Sequence, residues 1–506
     1  MLVRVATAPA RAAAASAPGV ASPACRKSNS SPATATATRR HQARRTQRQG
    51  LRSQQQRLAA QGADPDPQYH DCLQVTGGKV LRGEITISGS KNGALALMAA
   101  ALLCRDPVVL REVPALMDVR SMIEVLRSVG AAVTVSGNAM EIQAAALTSV
   151  QPCEEAVRSL RAGFLAIGPL LSREREAVMA LPGGCDIGAR PVDLHLQGLE
   201  AMGAQIRIEG GLLHATCPAG LKGATISLSF PSVGATETLL MAAALAEGTT
   251  VIRNAAREPE VAALAEFVNA MGGRVSGAGT ATIAVEGVAA LAGGAWTVLP
   301  DRIEAGTFAI AAAITGSRLL LQPVVPGHMQ AAAEALRRSG VEVDLGAASM
   351  LVIPPRTGRL APTDIQTAPH PGFPTDLQPQ MTALLATAAG RSTVREAVFD
   401  GRVRHAQELR AMGADIRTAD NRTLHVWGRP SCLRPGACVA ARDLRGGAAL
   451  LVASLAVEGA TTIQECWHMD RGYEQLDNKL RAVGADIQRV PSPAITAAAS
   501  ACNNTD

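Results

Sequence analysis

Two kinds of apolar segment alternate along the chain. One kind is almost pure Ala, Leu and Met for the length of a short helix, and the other keeps polar residues along one face. The almost pure segments are 94–103, 163–171, 235–246, 306–314, 381–389 and 446–457. Because a helix that is apolar on most faces has to be enclosed by other elements, this pattern predicts six buried helices.

A second feature marks the end of each amphipathic segment. The segment closes on a glycine and a short β-branched run follows, as in Lys479-Leu-Arg-Ala-Val-Gly-Ala-Asp-Ile487. The equivalent glycines are Gly130, Gly203, Gly272, Gly340, Gly413 and Gly484, spaced by 68 to 73 residues. Glycine suits the position after a helix because a positive φ costs it little. The chain therefore predicts six repeated units, each with a buried helix, a strand, an outer helix and a β-hairpin.

This repeat indicates an α/β fold. Strands that alternate with helices pair into sheets that the helices cover. Since a buried helix belongs to every unit, we expect helices inside and sheets outside, with three units in each of two similar lobes.

The first 71 residues form a leader that differs in composition from the rest. Residues 1–70 hold 11 Lys and Arg against Asp64 and Asp66, whereas the remainder holds 38 Lys and Arg against 41 Asp and Glu. The net charge of +6 therefore belongs to the leader and does not indicate a nucleic-acid surface. Its Ala, Arg, Ser and Thr bias favours an organelle transit peptide, chloroplast rather than mitochondrial. The alternative for the leader is a disordered extension that carries no targeting signal. Residues 491–506 are also expected to be disordered.

The remaining composition excludes several classes of protein. No run of 18 or more apolar residues is present, so no membrane span is expected. The ten cysteines show no CxxC or Cys/His spacing, which argues against structural zinc and disulfides and favours a reducing compartment. Aromatic residues make up 2% of the chain, so stacking platforms for nucleic-acid bases are scarce. We expect neither a metal nor a cofactor.

Polar residues interrupt the apolar pattern at the start of each buried helix. They are Lys91 and Asn92, Arg161, residues 232–234, Arg302 and Glu304, Asp376, and Arg445. Free N–H groups and a positive dipole end make a helix N-terminus an anion site, and four of the six positions add a Lys or Arg. If both lobes present these helix ends to one cleft, the helix ends form a positively charged site that binds phosphate and carboxylate groups. Ordinary capping and surface charge are the alternative.

Two loops of the repeat carry reactive side chains. Segment 181–190 places Cys185 among glycines, five residues before Arg190, and the proline-rich segment 367–378 contains Asp376. A thiol and a carboxylate on constrained loops are suited to act as an acid and a base on one substrate. Taken singly, each is equally typical of a tight turn with a buried cysteine or of a helix N-cap aspartate.

With these residues in view, the chain resembles the UDP-N-acetylglucosamine enolpyruvyl transferase family of the EPSP synthase superfamily. The resemblance covers 72–490, and the motifs that carry it are 85–92, 181–195, 232–236, 254–260, 300–304, 367–378 and 470–474. It implies two lobes, each an inside-out α/β barrel of three units. Since the chain of this family crosses between its lobes twice, the resemblance implies one lobe from 91–299 and another from 72–90 plus 300–490.

The resemblance also implies a reaction. The enolpyruvyl group of phosphoenolpyruvate moves to the 3-hydroxyl of UDP-N-acetylglucosamine and phosphate is released, which begins peptidoglycan precursor synthesis. Cys185 would be the proton donor and the target of fosfomycin, Asp376 the base, and Lys91 and Arg190 further catalytic residues. The implied phosphoenolpyruvate contacts are Lys91, Asn92, Arg190, Arg445 and Arg471. The implied UDP-sugar contacts are Asn92, Arg161, Arg190, Pro191, Val192, Asp193, Leu194, Phe230, Pro231, Ser232, Val233, Asp376 and Val398.

The sequence departs from the family pattern at three positions. Gly401 stands where the family usually has Asn, and Arg404 stands where it usually has an apolar residue. Phe230 replaces a Lys found in some members. Gly401 and Arg404 affect the expected substrate wall near Val398. Phe230 affects the expected contact with the uridine or the diphosphate.

Two other functions stay open at this point. A 3-phosphoshikimate 1-carboxyvinyltransferase shares the fold and reaction type, although that family lacks a cysteine loop like 182–190. A protein that kept the fold without activity should have lost at least one reactive residue, and all four are present: Cys185, Asp376, Lys91 and Arg190. We expect the two small substrates as partners, and a plastid stroma or, alternatively, the cytoplasm as location.

Overall fold

The structure, a computed structural model, describes residues 71–182 and 192–491. The leader 1–70 and the tail 492–506 lie outside these residues. From residue 71 to residue 286 the elements are β1 (Asp71–Thr76), β2 (Arg82–Thr86), α1 (Lys91–Ala100), β3 (Val108–Arg111), α2 (Met117–Ser128), β4 (Ala132–Ser136), β5 (Ala139–Gln143), α3 (Glu154–Ser159), α4 (Ile167–Glu174), β6 (Glu176–Ala180), α5 (Asp193–Ala201), β7 (Gln205–Glu209), β8 (Leu212–Thr216), β9 (Thr225–Ser227), α6 (Val233–Ala243), β10 (Thr249–Arg253), α7 (Pro259–Ala270), β11 (Arg274–Ser276) and β12 (Thr282–Glu286).

The same order of elements continues to the end of the described chain. From residue 294 to residue 491 the elements are β13 (Gly294–Thr297), α8 (Arg302–Ile314), β14 (Arg318–Gln322), α9 (Pro326–Arg338), β15 (Glu342–Leu345), β16 (Met350–Ile353), β17 (Ile365–Gln366), α10 (Gln378–Thr387), β18 (Gly390–Arg395), α11 (His405–Ala411), β19 (Ile416–Thr418), β20 (Thr423–Gly428), β21 (Cys438–Ala440), α12 (Leu444–Leu455), β22 (Ala460–Gln464), α13 (Trp467–Asp470), α14 (Leu476–Ala482) and β23 (Asp486–Pro491). Short 3-10 helices adjoin α1, α4 and α10 at Ala101–Leu103, Arg161–Ala166 and Thr375–Leu377.

Each repeated unit contributes one sheet. In the unit built on α6, β9 and β10 pair in parallel, and β12 pairs antiparallel with both β10 and β11. The sheet orders are β13-β3-β5-β4, β6-β8-β7, β9-β10-β12-β11, β2-β14-β16-β15, β17-β18-β20-β19 and β21-β22-β1-β23. The α/β class and the six units are therefore confirmed, and the described strands form six separate sheets.

The unit built on α4 has three strands because an irregular segment replaces its first strand. Where the other units place a parallel strand, the N–H of Val178 donates one hydrogen bond of 2.9 Å to the carbonyl oxygen of Val150. Pro152 follows two residues later, and proline has no N–H to donate to a strand ladder.

Hydrophobic residues form two separate buried cores. The first core lies within 94–298 and the second joins 73–87 to 303–487. Helices α1, α4 and α6 fill the first core, and α8, α10 and α12 fill the second. Small residues let these helices approach closely, since a Cβ added to Gly168 of α4 would lie 2.7 Å from the carbonyl oxygen of Thr238 in α6. The six predicted buried helices are therefore confirmed.

Strand pairing links parts of the chain that are far apart in sequence. β1 lies between β22 and β23, and β2 pairs with β14, so the segment before α1 completes two sheets around the second core. β13 returns to pair with β3 beside the first core. On these pairings we propose the lobe boundaries 91–299 and 72–90 plus 300–490.

The six repeat glycines end the outer helices, as their spacing predicted. Their φ angles lie between 88° and 103°, a range in which a Cβ would meet the backbone. No helix within the described ranges is long and apolar enough to cross a membrane.

Candidate active site

The amino ends of the six buried helices meet at one cavity of about 340 Å³. These inner helices are α1, α4, α6, α8, α10 and α12. Of the polar residues predicted at these ends, those that line it are Lys91, Asn92, Arg161, residues 232–234, Arg302, Asp376 and Arg445. Glu304 does not line the cavity, because its carboxylate accepts hydrogen bonds of 2.7 Å from Lys479 Nζ and from the N–H of Ser88. The structure thus brings together the helix ends from both cores, as a ligand cleft requires.

One buried carboxylate, that of Asp118 in the first turn of α2, holds two predicted phosphoenolpyruvate contacts together. Its Oδ2 lies 2.7 Å from Lys91 Nζ, and its Oδ1 accepts a 2.8 Å hydrogen bond from Arg471 Nε. Arg471 Nη2 also donates to the carbonyl oxygen of Ser159 at 3.1 Å. Burial raises the pKa of Asp118, but Lys91 and Arg471 together outweigh burial and hold that pKa below its usual value. Asp118 therefore stays ionised and fixes the spacing of two cations.

The carboxylate of Asp376 is held by two guanidinium groups. Arg402 Nη1 donates to Oδ1 at 2.8 Å, and Arg445 donates to Oδ2 from Nη2 at 3.0 Å and from Nε at 3.3 Å. Burial raises the pKa of Asp376, yet Arg445 and Arg402 lower it much further, so the pKa lies well below its usual range. Asp376 is therefore a stable anion and a weak base while both arginines bind it.

Arg445 is oriented from two sides. Asp443 caps α12 by accepting a 3.0 Å hydrogen bond from the backbone N–H of Arg445. The guanidinium carbon of Arg445 lies 5.1 Å from the centre of the Tyr473 ring, whose hydroxyl accepts a 2.9 Å hydrogen bond from Gln380 Nε2. Within the described chain, Nη1 of Arg445 is buried without a partner. Asp443 and Tyr473 thus hold the guanidinium group of Arg445 in place beside Asp376.

His195 forms the wall of the cavity beside α6 as a neutral imidazole. Its Nδ1 lies 2.9 Å from Thr238 Oγ1, and its ring meets the edge of the Phe164 ring at 5.5 Å. Burial, followed by the charge of Arg161, lowers the pKa of His195 to about 3. A Cβ on Gly234 would come within 3.1 Å of this ring, so a larger residue at the start of α6 would require the ring to shift by a few tenths of an ångström.

Most of the predicted UDP-sugar contacts line the same cavity. Those that do are Asn92, Arg161, Val192, Phe230, Pro231, Ser232, Val233, Asp376 and Val398. Asp193 and Leu194 lie in the first turn of α5 and are not part of the cavity wall that the structure describes. Phe230 is 36% exposed and adds an apolar ring beside the polar start of α6.

Cys185, Arg190 and Pro191 lie outside the described residues. The segment that contains them runs between Pro182 and Val192, and both of these flanking residues line the cavity. The roles predicted for the three residues remain predictions.

Several ionisable side chains that line the cavity were not predicted. They include Asp118, Glu237, Glu258, His370 and Arg402. Arg402 lies in a segment that drew notice only for its neighbours Gly401 and Arg404, and Asp118 has the position of an ordinary acidic residue in a first helical turn. No local pattern marks either residue, because their partners lie 26 and 353 residues away.

The site has the charges that a transfer between two anionic substrates requires. Lys91, Arg445 and Arg471 offer positive charge to phosphate and carboxylate groups on one side of the cavity. Asp376 adds a carboxylate whose two bonded arginines also line the cavity. Among the residues that the structure describes, no three His, Cys, Asp or Glu side chains are grouped so that they could hold a metal ion.

Comparison with known proteins points to one family. The sequence profile of EPSP synthase (3-phosphoshikimate 1-carboxyvinyltransferase) matches residues 75–480. UDP-N-acetylglucosamine 1-carboxyvinyltransferase of Trichormus variabilis is 50% identical over 435 residues, which are 85% of this chain and 96% of that relative.

Solved structures agree in fold. The enolpyruvyl transferase NikO from Streptomyces tendae superposes with a TM-score of 0.76 at 28% identity, over 84% of this chain and 99% of that protein. EPSP synthase from Acinetobacter baumannii superposes with a TM-score of 0.65 over 83% of this chain and 100% of that protein. Its identity is 19%, so this second likeness concerns the fold alone.

Proposed function

Because the chain belongs to the EPSP synthase family, and within it to the UDP-N-acetylglucosamine 1-carboxyvinyltransferases, we propose that it makes enolpyruvyl-UDP-N-acetylglucosamine. It transfers the enolpyruvyl group of phosphoenolpyruvate to the sugar 3-hydroxyl and releases phosphate, the first committed step of peptidoglycan precursor synthesis. The observation that carries this proposal is the 50% identity, over 85% of the chain, to a relative of that name.

The chemistry makes four demands on the protein. A base takes the hydroxyl proton, an acid protonates the methylene carbon of phosphoenolpyruvate, cations hold its anionic groups, and water is kept from the oxocarbenium-like centre. Cations that converge on the cavity support the third demand: Lys91, Arg445 and Arg471, with Asn92 beside them. We assign the same role to Arg190, and the acid to the thiol of Cys185, since nearby cations tune a thiol between its two protonation states.

We assign the base to Asp376, with a condition that its contacts suggest. Both carboxylate oxygens are bonded to Arg402 or Arg445, and these bonds keep the pKa of Asp376 low. Phosphoenolpyruvate competes for the guanidinium group of Arg445, so its binding weakens one of the bonds to Asp376 and raises the pKa of the carboxyl. Asp376 can then accept the hydroxyl proton only when phosphoenolpyruvate is bound.

The test is a phosphate-release assay on the full-length protein. Phosphoenolpyruvate is supplied with either UDP-N-acetylglucosamine or 3-phosphoshikimate, and release with the first acceptor alone is expected. Release with 3-phosphoshikimate alone would show that the acceptor is wrong, and release with neither would show that the chain is not an active transferase. A Cys185→Ala variant with full turnover would exclude the thiol as the acid.

We infer from the family resemblance that fosfomycin alkylates Cys185. Incubation with fosfomycin should stop phosphate release and add the mass of one inhibitor to a peptide that contains 182–190. An inhibited enzyme with an unmodified peptide would refute this assignment.

We infer that the leader 1–71 directs the protein to a plastid stroma. Two observations support this: residues 1–70 hold 11 Lys and Arg against two Asp, and the family match begins only at residue 75. A fluorescent protein fused to 1–71 should accumulate in plastids. A diffuse signal outside organelles would favour the cytoplasm instead.

A further inference from the structure

Glu237, in the second turn of α6, is a buried carboxyl group that lines the cavity and has no partner. It is 5% exposed. Within the described parts of the chain it takes part in no hydrogen bond or ion pair, and its oxygens are not among the enclosed atoms that lack a partner. The oxygens are therefore accessible from the cavity.

Each of the other carboxyl groups on the described cavity wall has at least one partner, although Oε2 of Glu258 is enclosed without one. Asp118 and Asp376 bind cations, Asp443 caps a helix, and Glu258 accepts a 3.1 Å hydrogen bond from the N–H of His370. A polar group that is buried without a partner destabilises a fold. The position of Glu237 is therefore explained better by a ligand than by folding.

The charges around Glu237 favour its neutral form. The acidic groups whose charge acts on Glu237 are Glu260 and Glu258, at the start of α7. Glu260 is bonded through both oxygens to Arg302 of α8 at 3.0 and 3.2 Å. Burial, followed by Glu260 and Glu258, raises the pKa of Glu237 well above its usual value. The two histidines near this wall, His195 and His370, are neutral because burial lowers their pKa values to about 3 and about 4.

The location of Glu237 selects one of the two substrates. It lies one helical turn after Ser232 and Val233, whose helix end is the predicted UDP-sugar contact. The predicted phosphoenolpyruvate cations Lys91 and Arg471 are bound instead by Asp118 of α2. A negative carboxylate beside the start of α6 would repel a diphosphate, whereas a neutral carboxyl both donates and accepts hydrogen bonds.

We propose that Glu237 binds the UDP-sugar substrate as a neutral carboxylic acid, which donates a hydrogen bond from its O–H and accepts one at its carbonyl oxygen. The proposal rests on the proposed function, since its ligand is the acceptor substrate of that reaction.

Two substitutions test this proposal. Glu237→Gln keeps a neutral donor and acceptor of the same size, and Glu237→Leu removes both. Glu124→Gln, an exposed carboxylate on α2, is the matched control. In phosphate-release assays Glu237→Leu should raise the KM for UDP-N-acetylglucosamine by about tenfold or more, because loss of one well-formed hydrogen bond costs about tenfold and this variant loses two. The KM for phosphoenolpyruvate should change less than about twofold, and Glu237→Gln should stay close to the wild type.

The pH dependence adds a second readout. As Glu237 ionises at alkaline pH, the KM of the wild type for UDP-N-acetylglucosamine should rise, and the Glu124→Gln control should behave in the same way. Glu237→Gln should lack this rise because an amide does not ionise. If Glu237 were only structural, its replacement by Gln would not alter how this KM depends on pH.

Several results would overturn the proposal. They are an unchanged KM for UDP-N-acetylglucosamine in Glu237→Leu, an equal rise for both substrates, or an alkaline rise that persists in Glu237→Gln. The Tm values of Glu237→Leu and Glu237→Gln should be at or above that of the wild type, because each variant removes a buried carboxyl group that has no partner. If Glu237→Leu fails to fold, the KM of Glu237→Gln and its dependence on pH decide. If the wild type releases no phosphate, the proposed function fails. Calorimetric binding of UDP-N-acetylglucosamine to the wild type and Glu237→Leu then tests the proposal separately.

Discussion

At the scale of single residues, the site is organised around carboxylates whose partners set their charge. Arg402 and Arg445 hold Asp376 as an anion, while Glu237 has anions for neighbours and is held neutral. The same functional group thus has two different chemical characters on the wall of one cavity. Each character follows from burial together with the sign of the nearest charges.

Replacement of Asp376 by Asn should lower kcat by about 10²- to 10⁴-fold, the usual contribution of a general base. The phosphate-release assay measures this loss. Asp400→Asn is the control, because Asp400 forms an exposed ion pair with Arg422 and is not among the residues that line the cavity. If Asp376→Asn keeps wild-type kcat, Asp376 is not the base.

Asp376 also makes the stability of the protein depend on pH. Its pKa in the folded protein is lower than the value of 3.8 for a free side chain, so it stabilises the fold above that value. This contribution is lost as the pH falls through the folded pKa. Urea unfolding of Asp376→Asn should therefore change less than that of the wild type between pH 5 and pH 3. Parallel acid profiles would contradict the low pKa.

At the scale of elements, the inner and outer helices could be predicted because their signal is local. An apolar stretch such as 446–457 has to be buried, and it forms α12. β17 could not be predicted, because two residues give no alternation to detect. The irregular segment before α4 was also not predicted: Pro152 argues against a strand there, but the bond that the segment makes to Val178 depends on the neighbouring sheet.

The glycines that end the outer helices offer a matched test of backbone conformation. Gly272 has a φ of 96° and open space around it, so Gly272→Ala should destabilise by the conformational cost alone, about 1–2 kcal/mol. Gly130→Ala should cost more, because its Cβ would also lie 2.8 Å from the backbone nitrogen of Thr148. Urea unfolding measures both values.

Gly327 is the control for these two variants. It lies in the first turn of α9 with open space around it and without a positive φ. Gly327→Ala should be neutral or stabilising by up to about 1 kcal/mol. Equal losses at all three glycines would show that φ is not the cause.

At the scale of the whole molecule, side chains join the elements around the two cores. Arg302 of α8 binds Glu260 of α7, and Arg471 binds Asp118 of α2. These partners are 42 and 353 residues apart, so neither repeat nor motif could pair them. The sequence could therefore predict which helix ends form the cavity, but not which carboxylate binds which cation.

The buried pair of Glu260 and Arg302 should matter more than an exposed pair of the same kind. Their side chains are 2% and 11% exposed, so Glu260→Ala would leave Arg302 without its main counter-charge, at a cost of roughly 3–5 kcal/mol. Glu209→Ala should cost less than about 1 kcal/mol, because Glu209 pairs with Arg207 in solvent. Equal unfolding free energies for the two variants would contradict this ranking.

The position of β1 constrains the order in which a growing chain can fold. β1 runs antiparallel to β23, with Asp71 opposite Pro491 and Thr76 opposite Asp486. On the ribosome, the sheets of the first core are complete once β13 has emerged, whereas the sheet that contains β1 waits for the last strand of the described chain. A truncation that removes β23 leaves β1 with an open edge, which is a site for pairing with other chains. The same adjacency places the two ends of the folded part side by side, so a short linker between them would allow a circularly permuted enzyme.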